Sequence, residues 1–146
     1  MNDNRLASFQ FERYSIDEIQ LVRHEKFEEA AEGKMKFNIS VCEGEDPNRL
    51  KLILNIEVDQ NNINLSLTIS GFFCFSDDTE LPGSEKIKLI KMNGVAILLP
   101  YARSVVSMLT ALDSPNAIVL PLMNVFEFMK DHEKSTDVND DKKSEF

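Results

Sequence analysis

Between residues 34 and 75, apolar and polar side chains take alternate places in three successive runs. Met35, Phe37, Ile39 and Val41 interleave with Lys34, Lys36, Asn38 and Ser40. Leu50, Leu52, Leu54, Ile56 and Val58 interleave with Lys51, Asn55, Glu57 and Asp59, with Ile53 the exception. Ile63, Leu65, Leu67 and Ile69 interleave with Asn62, Asn64, Ser66 and Thr68. A period of two sends successive side chains to opposite faces, so each run predicts a strand with one buried and one wetter face. The third run continues as SGFFCF over 70–75. Phe73 and Phe75 keep the parity of Ile63–Ile69, while Phe72 and Cys74 join Ile53 on a wetter face that is not wholly solvated. An earlier run, Phe9–Ile16, alternates through Phe9 and Phe11 and then slips to Tyr14 and Ile16. A β-bulge near Glu12–Arg13 accounts for the slip, because one extra residue reverses the parity.

The connections are short and polar where hairpins are expected. GEDPN at 44–48 and DQNN at 59–62 make the last three strands consecutive antiparallel neighbours. Val22–Glu32, with Glu25, Glu28, Glu29 and Glu32, reads either as a longer crossover loop or as a helical turn.

After residue 75 the period changes. Val95, Leu98, Leu99, Ala102, Val105, Val106, Leu109 and Leu112 follow the spacing of a helix. Gly94 and Pro100 fall early in that pattern, where a proline is tolerated; a helix starting nearer Asn93 would instead be kinked at Pro100. DSPN at 113–116 ends the helix, and Pro121 holds Leu120 toward extended geometry. Asn124 followed by Glu127 has the form of an N-cap with its capping-box partner, opening a short helix to about His132. The expected fold is α+β: a four-stranded antiparallel sheet with a long helix and a short C-terminal helix on one face. One domain spans 1–134, and residues 135–146 form a disordered acidic tail.

The long helix is apolar over more of its circumference than one sheet can cover. Ile97, Tyr101, Val105 and Met108 lie outside the main stripe. A helix of that kind is covered on two sides, which predicts a homo-oligomer, dimer or tetramer, with these residues at its interface. The competing arrangement is a bend at Pro100 that lets one core cover the whole helix.

Composition narrows the function classes. The 146 residues carry a net charge of −9 and a pI of about 4.7, so the basic footprint of a nucleic-acid binder is missing. No apolar leader opens the chain, and the apolar run Val95–Leu99 is far shorter than the ~20 residues of a membrane span. Two cysteines, Cys42 and Cys74, lie in strand-like segments without a metal or redox motif, as expected of free thiols in a cytoplasmic protein.

Chemistry is not visible. His24 and His132, the two histidines, lie in charged stretches; HEKFEE at 24–29 lacks zinc-site spacing, and Asp77–Asp78 reads as a polar turn. The chain is not expected to be an enzyme or to carry a cofactor or metal. The informative features are apolar. The extended segment Ala117–Leu122, beside a short helix with Val125, Phe126, Phe128 and Met129, has the composition of a groove for extended peptides; Met123 and Met129 suit non-specific packing. The same residues could equally close the core.

The residues ILLPYARSVVSML (97–109) and VLPLMNVFEFM (119–129) resemble the C-terminal signature of the bacterial export chaperone SecB family. SGFFCF resembles the end of that family's fourth strand, FQFERYSIDEI (9–19) its opening strand, and the likeness covers about residues 9–132. It implies a tetramer built as a dimer of dimers. The implied function is an ATP-independent holdase that keeps unfolded polypeptides from aggregating and, in the export branch, passes them to SecA. The groove positions it implies are Phe27, Phe37, Ile39, Leu120, Leu122, Met123, Phe126 and Met129. Two departures stand out. Ala31 occupies the place of the family's crossover-loop tryptophan, and of the acidic SecA contacts Glu18 matches while Val22 and Ser66 stand where acids would be. A chaperone for a dedicated partner, such as a toxin–antitoxin pair, and a small-ligand binding module are the alternative readings.

Overall fold

A computed structural model describes residues 9–24, 33–60, 62–112 and 117–121. Four strands, β1 (Phe9–Arg23), β2 (Lys34–Glu43), β3 (Arg49–Gln60) and β4 (Ile63–Phe75), precede one long helix, α1 (Gly83–Ala111). All neighbouring strands are antiparallel, in the order β1-β4-β3-β2. The three hairpin-linked strands stand as expected. The expected short C-terminal helix and acidic tail lie outside the described residues.

The alternation determines which face meets the helix. Leu52, Leu54, Ile56, Leu67, Ile69 and Phe73 form one side of a dry layer, and Ile90, Val95, Leu98, Ala102 and Val106 of α1 form the other. The helix lies across β2, β3 and β4. Gly94 lets it come close: a Cβ there would sit 2.7 Å from a Leu52 methyl and 3.1 Å from the Phe73 ring. On the opposite face Asn55 is the hub of a polar ladder. Its Nδ2 donates to Thr68 Oγ1 at 2.9 Å, and Asn38 Nδ2 donates to its Oδ1 at 3.4 Å.

Two boundaries differ from the sequence reading. The first strand does not stop at Ile16 but runs on to Arg23, so Val22 and Arg23 belong to it rather than to the crossover, whose residues 25–32 are not described. The expected bulge is present as a register shift between Phe11 and Arg13, and a second falls between Ile16 and Glu18. Asp17 bulges there, accepting hydrogen bonds from Ser70 and, at 2.8 Å, from Ser15. Ile19 and Leu21 thereby keep to the face of Tyr14 and Ile16.

The helix also begins a dozen residues earlier than Val95, at Gly83, which places Pro100 in its interior. The proline removes the bond to the Ala96 carbonyl, but both residues are exposed, so water can replace it. The early turns were obscured by Lys86. Its stem is buried, its ammonium donates to Asn48 Oδ1 at 2.8 Å, and it lies 5.6 Å from the centre of the Phe75 ring. A lysine that buries its stem behaves as an apolar residue in the packing.

Candidate functional site

Three surfaces carry the residues singled out above. The first is the helix-side face of β1. Opposite the buried Gly71, Ile69, Leu67 and Leu65 of β4 stand Tyr14, Ile16, Ile19 and Leu21. They share the apolar face of the sheet, yet they are between 36% and 44% exposed, because α1 does not lie over this edge. The surface continues onto the helix, where Tyr101 stacks on Tyr14 at 4.3 Å and packs 6.2 Å from Phe11. Met108 and Leu112, on the same flank, are 68% and 77% exposed. Of the expected interface residues, Tyr101 and Met108 are therefore exposed, and Ile97 and Val105 are half-buried beside the core. The β1 residues were missed as a site. Their parity does reveal them once a bulge at Asp17 is allowed.

The second surface is the opposite flank of α1. At about 100° per residue, Arg103 lies about 200° around the helix from Tyr101, with Ser107 and Thr110 beside it. These three side chains hold the extended segment 117–121. Arg103 Nε donates to the Leu120 carbonyl at 3.0 Å, Ser107 Oγ donates to the Ile118 carbonyl at 3.3 Å, and Thr110 Oγ1 accepts from the Ile118 amide at 2.8 Å. Thr110 in turn donates to the Val106 carbonyl at 2.8 Å. Such bonds contribute about 1 kcal/mol each, net of lost hydration. Ile118 and Leu120 point into the core, and Ala117, Val119 and Pro121 point out.

Leu120, expected to line a groove, is covered here. Its side chain is fully buried in the same apolar cluster as Phe37 and Ile39, which are each only 8% exposed. In this conformation the three are packing residues, not the walls of an open channel. The other expected groove residues, Phe27, Leu122, Met123, Phe126 and Met129, lie outside the described residues.

The third surface is the polar sheet face. At one end a depression of about 870 Å³ is bordered by Lys34, Lys36, Glu57, Asp59, Asn64 and Ser66, in two cross-strand rows. Glu18 lies next along this face, opposite Thr68; Val22 stands opposite Asn64, and Ser66 opposite Gln20. Val22 and Ser66 thus place neutral side chains where the resemblance implied further acids. At the other end the Arg13 guanidinium lies 3.8 Å above the Phe72 ring.

Cys42 and Cys74 are free, on strands separated by β3. Burial, with the Glu12 carboxylate second, pushes the Cys74 thiol up from its ordinary value. A raised thiol pKa leaves less thiolate at a given pH. Alkylation at pH 8 should therefore label Cys74 several-fold more slowly than a cysteine in a short unstructured peptide, with the gap closing as pH rises above the Cys74 value. Peptide mapping of a timed iodoacetamide reaction checks this.

No protein-family model matches the chain. An uncharacterized protein of Methanocaldococcus jannaschii is 25% identical over 146 residues, covering 93% of this chain and 92% of that protein. The Mycobacterium tuberculosis SecB-like chaperone, solved in complex with a ChAD peptide from the HigA1 antitoxin, superposes with a TM-score of 0.65. The match covers 83% of this chain and 95% of the chaperone, at 15% identity. The fold is that of a SecB-like chaperone. A Streptococcus agalactiae protein of unknown function also matches, with a TM-score of 0.50 and 15% identity over 78% of this chain and 97% of that one. Within the SecB-like fold, the shared elements are the four-stranded antiparallel sheet and the long helix lying on it. By length and hydropathy α1 alone would pass for a membrane span, although the longest contiguous apolar run had argued against one; here its core side packs on the sheet.

Proposed function

We propose that the chain is an ATP-independent holdase. It binds unfolded polypeptides through apolar surface that one folded copy leaves over, and holds them for export or targeting in the cytoplasm. The observation that carries this reading is the uncovered apolar face from Tyr14, Ile16, Ile19 and Leu21 to Tyr101, Met108 and Leu112. A contiguous patch of this kind marks an interaction surface. Its position beside the edge strand β1 suits a second copy of the chain, so the assembly is a homo-oligomer, and clients take the part of this apolar face that the second copy leaves open. Apolar area and backbone hydrogen bonds recognise many sequences without precise side-chain readout. The net charge of −9 favours basic clients by speeding their encounter. The SecB-like fold supports a chaperone role, and the M. tuberculosis SecB-like chaperone was solved in complex with an antitoxin peptide. Nothing in this reading requires a cofactor or a catalytic residue. SecA is a weak candidate partner, because Glu18 is the single acid among the three sheet positions compared.

A second reading, favoured by the antitoxin peptide in that complex, is a chaperone dedicated to one partner. One experiment tests both. Two unrelated proteins are diluted from denaturant and their aggregation is followed by light scattering with this chain added. Suppression of both at a few-fold molar excess is expected of the holdase. Suppression of one alone indicates a dedicated partner, and suppression of neither overturns the chaperone reading.

A further inference from the structure

The segment 117–121 is held in an unusual way. It is extended, with Ile118 and Leu120 turned in and Val119 turned out, the alternation of a strand. Among the described residues, however, it makes no backbone–backbone hydrogen bond to any strand. Its backbone is read by side chains instead: Arg103 and Ser107 donate to the carbonyls of Leu120 and Ile118, and Thr110 accepts from the Ile118 amide. These tethers touch main-chain atoms that every polypeptide possesses. The apolar sites filled by Ile118 and Leu120 are two residues apart, as alternate side chains of any extended peptide would be. The segment thus makes the contacts a sequence-tolerant site would offer to a foreign chain.

We infer that 117–121 is an internal stand-in for a client strand, a strap that occupies the Arg103–Ser107–Thr110 flank of α1 until a client displaces it. This rests on the client-holding reading above and deepens it. In the free protein the strap keeps Ile118 and Leu120 in the cluster with Phe37 and Ile39, so this apolar surface is not exposed to solvent or to other copies. A client with apolar residues at alternate positions competes for the same two sites and the same three tethers. The observed affinity is then the intrinsic affinity reduced by the fraction of molecules whose strap is open. Leu120 belongs to the site as its occupant rather than as its wall.

The test uses the full-length protein and reduced, carboxymethylated α-lactalbumin, a permanently unfolded probe. Amide exchange is followed at Ile118, which is hydrogen-bonded to Thr110 in the free protein. Saturating probe is expected to speed exchange at Ile118 at least about 10-fold. In parallel, Ile118→Ala combined with Leu120→Ala, which loosens the strap and leaves all three tethers free for a client, is expected to tighten probe binding about 10-fold. Unchanged or slower exchange at Ile118 in the wild-type complex overturns the strap while leaving the holdase reading intact, and needs no variant to fold. A double variant that folds and binds the probe no more tightly than the wild type also overturns it, because Ile118 and Leu120 would then be fixed packing residues rather than a displaceable occupant. A probe bound by neither protein overturns both the strap and the function on which it rests.

Discussion

Replacing Gly94 by valine is expected to destabilise the protein by about 3 kcal/mol, read from the urea midpoint of the wild type and variant side by side. The Cβ of any other residue here would lie 2.7 Å from Leu52 Cδ2 and 3.1 Å from the Phe73 ring. Both neighbours are fully or almost fully buried, so neither can swing into solvent. Glycine is a poor helix former and its replacement would ordinarily stabilise a helix by about 1 kcal/mol or somewhat less, but overpacking of a close crossing outweighs that gain. Valine at the exposed Ala96 on the same helix is the control and should cost less than about 1 kcal/mol. Equal stability of the Gly94 variant and wild type would mean that α1 does not approach the sheet as described.

The second large effect concerns assembly. Ile19→Glu combined with Leu21→Glu is expected to turn an oligomer into monomers, weakening self-association by more than about 100-fold. Both side chains lie on the helix-side face of β1 and both are partly exposed in the single copy, 42% and 36%. Carboxylates at these positions remain hydrated in the isolated fold, so the strand and helix content should be unchanged by circular dichroism. Covered by a second copy, the same two charges would lose their water without a partner. Sedimentation at micromolar concentration gives the answer. A wild type that is itself monomeric, or a variant that assembles equally well, would remove the second copy from the account.

How far these features could be read in advance differed along the chain. β2, β3 and β4 were legible because, Ile53, Phe72 and Cys74 apart, each alternates between an apolar and a polar face, and a one-residue slip would turn the whole apolar set outward. β1 was legible only to its second bulge. Asp17 reverses the parity a second time, so the alternation breaks before Ile19 and Leu21, which face Leu67 and Leu65 of β4. The start of α1 was hidden by lysines at 86, 88 and 91, of which Lys86 packs as an apolar stem capped by Asn48 from a distant hairpin.

The candidate site shows the same division. The surplus apolar flank of α1 was legible from Tyr101 and Met108, because helical spacing alone puts them off the core stripe. The apolar segment with Ile118 and Leu120 was legible as extended, from Pro121. Whether its side chains faced a client or the core was not, because that depends on Arg103, Ser107 and Thr110 meeting a backbone that returns 8 to 17 residues later. Side chain–backbone bonds between elements leave no periodic trace in a sequence.

The central claim is that apolar surface remains after one copy has folded and that non-native polypeptide takes it. Fluorescence anisotropy of labelled α-lactalbumin, titrated with the full-length protein in its native and its reduced, carboxymethylated forms, tests this most directly. The account predicts saturable micromolar or tighter binding of the unfolded form and at least about 100-fold weaker binding of the native one. Equal affinity for both forms, or binding of neither, would contradict it.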